Sequence, residues 1–178
     1  MIKFIRWGLP CAALLFGASA ARADDMMVQM ALATQAGPGA SIGGIAIGVG
    51  ADGAAVFKLD LKGLPPGPHG FHVHENGQCG PTMMNGIAIP AGAAGGHWDK
   101  DHASKHAGPT GDGHTGDLPV LEVAADGTAT QSLAAPRLKD RALLMGHAVV
   151  IHANGDNYSD QPLALGGGGG RLACGVIN

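Results

Sequence analysis

Seven side chains in this chain carry imidazole or carboxylate donors at spacings that suit metal binding: His72, His74, His97, His106, His114, Asp117 and His152. His72 and His74 are one residue apart in GFHVHENGQC, so on a strand both rings leave the same face. With His97 and His152 they supply four nitrogens, the tetragonal set that Cu(II) prefers. His97, His106, His114 and Asp117 supply three nitrogens and one oxygen, which fits a closed tetrahedral zinc site. His97 falls in both groups, and each of its ring nitrogens can face one metal. The pattern predicts paired copper and zinc sites that share a histidine.

The elements that must position these groups read as strands. Alternating stretches at 41–49, 54–61, 120–123, 148–152 and 172–177 are separated by turn signals such as Gly50-Ala51-Asp52-Gly53 and Ala125-Asp126-Gly127. Helical periodicity is absent. Short strands with glycine-rich turns predict an all-β antiparallel sandwich or closed barrel. Two long stretches, 76–117 and 153–170, lack strand pattern, and loops of that length in a compact domain are usually functional. Every expected zinc ligand lies in the first. The glycine run 166–170 is not followed by the lysine and serine or threonine of a phosphate loop, which excludes nucleotide binding. Its expected use is to bend closely over the metal sites and deliver Arg171.

The first residues read as a secretory signal. Lys3 and Arg6 precede a short apolar stretch, and Ala21-Arg22-Ala23 offers a cleavage site before Asp24. Residues 1–23 are therefore expected to be removed, together with Cys11, leaving one domain over 24–178 in the periplasm. Loss of Lys3, Arg6 and Arg22 takes the formal charge from −3 to −6, which argues against nucleic acid as a partner. The apolar stretch is too short to span a bilayer. Cys79 and Cys174 are then the two cysteines left, an even pair in an oxidising compartment.

GFHVHENGQC, AGGHWDKDHASKHAGPTGDGHTGDLP, GHAVVIHANGDNYSD and LGGGGGRLACGVI together resemble the copper,zinc superoxide dismutases, specifically the bacterial exported type. The resemblance covers residues 63–178 and extends more loosely back to Met27. It implies an eight-stranded antiparallel Greek-key β-barrel with the two long stretches as metal-site and channel loops. It implies an enzyme that converts superoxide to oxygen and hydrogen peroxide, with one copper and one zinc per subunit. Copper would be held by His72, His74, His97 and His152, and zinc by His97, His106, His114 and Asp117. His97 would bridge the metals and take a proton during turnover, and Arg171 would bind the superoxide anion. Asp156 would hydrogen-bond ligand histidines of both metals, and Cys79 and Cys174 would form a disulfide. His69 is expected to brace the backbone rather than ligate. His102 could stand in at the zinc site, yet family spacing favours His106. His147 is expected to be structural. Asp99, Lys100, Asp101 and Asp112 read as solvated loop and turn residues.

Three features depart from the family pattern. The stretch 76–98 holds no Lys, Arg, Asp or Glu, and between His152 and Arg171 the only charges are Asp156 and Asp160. Steering of the substrate would then rest on Arg171 with Lys100 or Lys105. The same uncharged loop carries Met83, Met84, Ile87 and Ile89, for loop packing by default or for a subunit or partner contact. A monomer and a homodimer both fit. Met26, Met27 and Met30 raise a separate idea, capture of Cu(I) by thioethers, against the simpler reading as first-strand core residues. A non-catalytic copper carrier and a zinc buffer are the rival readings. The complete copper set with Arg171 opposes the carrier. Tight binding of a single copper would oppose the buffer.

Overall fold

The computed structural model describes residues 25–178; the stretch expected to be a secretory signal, with Cys11, lies outside the described residues. Eleven strands follow in chain order: β1 (Met26–Thr34), β2 (Gly37–Val49), β3 (Ala55–Leu61), β4 (Gly67–His69), β5 (Phe71–His74), β6 (Thr82–Met84), β7 (Ile87–Ile89), β8 (Leu121–Val123), β9 (Ser132–Ala135), β10 (Ala148–His152) and β11 (Arg171–Val176). β4 and β5 are one strand interrupted at Gly70, and β6 and β7 form a separate hairpin. Eight barrel strands remain. Their antiparallel pairings run β8-β4, then β5-β10-β11-β1-β2-β3-β9, the expected curled Greek-key sheet. Among the described residues no helix is long and apolar enough to cross a membrane.

Alternation along the strands builds the core. β3 alternates buried and more exposed positions, sending Phe57, Leu59 and Leu61 inward with Lys58 and Asp60 outward. Val28, Met30, Ile45, Ile47, Val149 and Ile151 fill the same interior, and Phe57 meets Phe71 edge to face at 5.7 Å. β5 and β10 are different, because all their residues are buried. One face packs on the core through Phe71, Val73, Val149 and Ile151. The other carries His72, His74 and His152 beneath the long loops. The barrel thus gives the histidines a rigid floor and the loops give them a roof.

The stretch 76–117 is not free of strands. Asn85 and Gly86, at φ 52° and 79°, form the tight turn that joins β6 to β7. Alternation was hidden there because Met83, Met84 and Ile87 are all exposed, so no inward face marks the strands. The cysteines do join: Cys79 and Cys174 form a disulfide that ties this loop to β11. The thioether idea fails on placement. Met30 is fully buried, Met26 packs against the core and only Met27 is exposed, so the three sulfurs do not converge.

Candidate metal centre

The loops bring all seven donor residues together, buried. One donor atom from each of His72, His74, His97 and His152 lies within 4.8 Å of every other. His97, His106 and Asp117 form a second such group, again with His72 beside them. His114 completes it from the side: Oδ1 of Asp117 lies 3.2 Å from Nδ1 of His97, 3.0 Å from Nδ1 of His106 and 3.4 Å from Nδ1 of His114. Bonds of roughly 2.0–2.1 Å around tetrahedral zinc set ligand atoms about 3.3 Å apart. The three oxygen–nitrogen separations therefore match the edge lengths of such a site.

Hydrogen bonds decide which nitrogen each ring offers, because a ligand histidine usually commits its other nitrogen to an acceptor. Nε2 of His72 meets Oδ2 of Asp156 at 2.7 Å, which leaves its buried Nδ1 without a partner. Nδ1 of His74 faces the Gly95 carbonyl and Nδ1 of His152 the Gly169 carbonyl, so their Nε2 atoms face each other at 3.2 Å. Nε2 of His106 meets Oδ1 of Asp156 at 2.8 Å, which leaves Nδ1 turned toward Oδ1 of Asp117 and the expected zinc position. His97 turns Nδ1 to Asp117 and leaves Nε2 without a hydrogen bond. Buried polar atoms are rarely left unpaired, so four orphaned nitrogens in one cluster fit metal ions well. The donors, nitrogens with one carboxylate, suit copper and zinc.

Burial sets the charge state of the first group. It depresses His74 well below the ordinary histidine value, His97 to about 4 and His152 to about 3. His72 is also lowered by burial, against the pull of Asp156. These rings are neutral and ready to ligate at pH 7. His106 goes the other way: burial opposes its charge, but Asp117 and Asp156 outweigh burial and raise it to about 9. Both carboxylates are held below their usual range; burial resists this, and the histidine hydrogen bonds prevail. A proton on His106 thus competes with zinc in the metal-free protein. Zinc uptake at pH 7 is expected to release about one proton. Apparent zinc affinity should rise by about one log unit per pH unit until it levels near pH 9, since the raised proton affinity of His106 is lost above that point. Titration calorimetry in buffers of different ionisation enthalpy reads this directly, and a pH-independent affinity would contradict it.

The second loop is latched over the first by its carboxylates. Asp156 holds His72 and His106, and Asp160 accepts from the backbone N–H groups of His106 and Leu165. Gly166 lies close above, at φ 72°, where a Cβ would come within 2.0 Å of Oδ1 of Asp156 and 2.8 Å of Nε2 of His106. Both the left-handed backbone and the close approach require glycine there. The run ends at Arg171, half-buried at the start of β11, with its guanidinium donating to the carbonyls of Ala91 and Gly95. Gly95 also accepts from His74, so one carbonyl links the cation to the histidine cluster.

His69 bridges the carbonyls of His152 and Pro65. His147 meets the His74 carbonyl and lies tilted against the Trp98 ring at 4.4 Å. His102 is exposed and takes no part in the donor groups. Asp99 accepts from Ala103 and Ser104, tying its own turn. Lys100 and Lys105, expected to help steer the substrate, are each ion-paired, to Asp101 and to Asp112. Their charge is locally cancelled, so Arg171 stands as the effective cation near the mouth. Sequence reasoning missed Arg137, whose guanidinium donates to the His114 carbonyl at 2.9 Å and fixes the end of the donor loop. No local motif marked it, because its partner is a backbone oxygen 23 residues away.

The family profile of copper/zinc superoxide dismutase (SODC) matches residues 42–177. A superoxide dismutase [Cu-Zn] 2 of Salmonella typhimurium is 50% identical over 163 residues, covering 92% of this chain and 94% of the relative. Among solved structures, the Cu/Zn superoxide dismutase from Brucella abortus superposes with a TM-score of 0.85 at 46% identity, covering 87% of this chain and all of the other. The solution structure of a monomeric copper, zinc superoxide dismutase from Salmonella enterica gives 0.78 at 52% identity, covering 86% and 99%.

Proposed function

The chain belongs to the copper/zinc superoxide dismutase family, and from that premise we propose how its own residues divide the work of dismutation. Copper would be held by Nδ1 of His72 and the Nε2 atoms of His74, His97 and His152. Zinc would be held by the Nδ1 atoms of His97, His106 and His114 with Oδ1 of Asp117. The observation that carries this division is the cluster of four buried nitrogens without hydrogen bonds, on His72, His97, His106 and His114, beside the facing Nε2 atoms of His74 and His152, whose Nδ1 atoms are committed to carbonyls. Bound there, copper would supply the reversible one-electron chemistry by which two superoxide anions and two protons become oxygen and hydrogen peroxide, and zinc would supply a fixed charge without redox chemistry.

The protein's part is binding, orientation and proton handling. Arg171 docks the anion; its planar fork keeps three of five N–H donors beyond those given to Ala91 and Gly95. His97 is the proton carrier at Nε2, because its Nδ1, turned toward Asp117, would be committed to zinc. Asp156 holds His72 and His106 in the tautomers that aim Nδ1 at the metals.

We place the enzyme in the periplasm after cleavage behind Ala23, which accords with a disulfide that needs an oxidising compartment. A homodimer is the alternative to a monomer, and the exposed Met83, Met84 and Ile87 would be its seat. The test uses protein from the periplasmic fraction, expected to begin at Asp24, carrying one copper and one zinc. Superoxide decay followed by pulse radiolysis should be fast, and Arg171→Ala should slow it by about tenfold or more while both metals stay bound. Decay no faster than with free copper would remove the enzyme and leave a copper carrier.

A further inference from the structure

The mouth above the histidine cluster has an unusual wall. A depression of about 530 Å³ is lined by Thr82, Met84, Ile89, Pro90, Gly95 and Arg171, with further glycines between them. Among the described residues that line it, Arg171 alone is charged. One side is therefore the apolar β6–β7 hairpin, on which Met84 is 59% exposed. The floor is the cation and the glycine backbone whose carbonyls hold His74 and His152. A volume of this size is in the range of small-molecule sites, which pair apolar walls with a few placed polar groups. Superoxide, a small anion, uses only the floor. Nothing in its chemistry calls for thioether and aliphatic groups along one side.

We propose that this depression is a binding site for a free monocarboxylate with a short aliphatic chain, its carboxylate on Arg171 and its tail along Met84, Ile89 and Pro90. Charge complementarity favours that occupant. A planar carboxylate matches the guanidinium fork, and no acidic side chain in the lining repels it. The apolar wall then adds affinity in proportion to the methylenes it covers. The site overlaps the anion dock, so such a ligand excludes superoxide and acts as a competitive brake. The inference rests on Arg171 as the anion dock, and it adds a ligand class to that dock.

The experiment titrates straight-chain carboxylates, acetate through octanoate, at constant ionic strength into the reduced copper- and zinc-loaded protein with ¹³C-methyl methionine. NMR reads the Met84 methyl, and superoxide decay is measured in parallel. Each methylene beyond butanoate should tighten binding about two- to fourfold, in the methyl shift and in inhibition alike. Met84→Gln should flatten the chain-length slope in inhibition. Met83→Gln, on the other face of the same strand, should keep it, and Arg171→Ala should weaken the whole series. Equal binding of acetate and octanoate would overturn the proposal, as would a slope that survives Met84→Gln. The methyl titration does not depend on turnover, so a protein that binds octanoate there without dismutating superoxide would separate this site from the enzyme reading.

Discussion

Asp156→Asn lowers copper affinity about 10- to 100-fold and superoxide decay with it, while zinc affinity changes much less. The asymmetry follows from which oxygen is free to become nitrogen. Oδ1 of Asp156 accepts from the backbone N–H of Tyr158 at 2.7 Å and meets Nε2 of His106, whereas Oδ2 meets Nε2 of His72 alone. The amide of the variant therefore keeps its oxygen toward Tyr158 and turns its NH₂ toward His72. That group donates, so Nε2 of His72 must accept, and the ring proton moves to Nδ1. Nδ1 is the nitrogen aimed at copper, and a protonated nitrogen cannot ligate. Loss of an acceptor behind a ligand histidine typically costs 10–100-fold in metal affinity or activity. Separate competition titrations with copper and zinc chelators read the split. Equal losses at both metals, or none, would show that Asp156 does not set the tautomers.

Much of this site was legible in the sequence because it is written in local spacing. His-x-His on a strand, the dense run from His97 to Asp117, and a single distant His152 are enough to name the side chains that the fold gathers. The strand at 54–61 was equally clear, since Phe57, Leu59 and Leu61 alternate with polar residues. Contacts between distant backbone atoms were not legible. Arg137 reaches the carbonyl of His114, and Lys105 spends its charge on Asp112, without any sequence pattern that marks either pairing. The β6–β7 hairpin was missed for a different reason. Period-2 reading needs one buried face, and that hairpin has little to bury. Its exposed apolar residues are the feature that separates this mouth from an ordinary charged channel.

Replacing both Cys79 and Cys174 by alanine lowers the melting temperature by about 10–15 °C and also reduces activity below that temperature. The stability part comes from the open chain. The bridge spans 95 residues, and closing so long a loop restricts the unfolded ensemble by roughly 4–5 kcal/mol in the chain-entropy picture. At about 2–4 °C per kcal/mol for a domain of this size, that is the stated shift. The activity part comes from what the bridge holds. Cys174 lies three residues beyond Arg171 on β11, and packs with Ala91, Ala94, Ala148 and Val150 in a small cluster of its own. Ala91 and Gly95 supply the carbonyls that seat the guanidinium, and Gly95 also holds His74. Untying Cys79 frees the loop that carries both carbonyls, so the cation and one histidine lose their common anchor. A structural crosslink with no role at the site would change the melting temperature alone. The decisive comparison is therefore superoxide decay at 25 °C with both metals bound, where parent and variant are both folded. Equal rates would confine the disulfide to stability, and a melting temperature within about 2 °C of the parent would contradict the chain-entropy account.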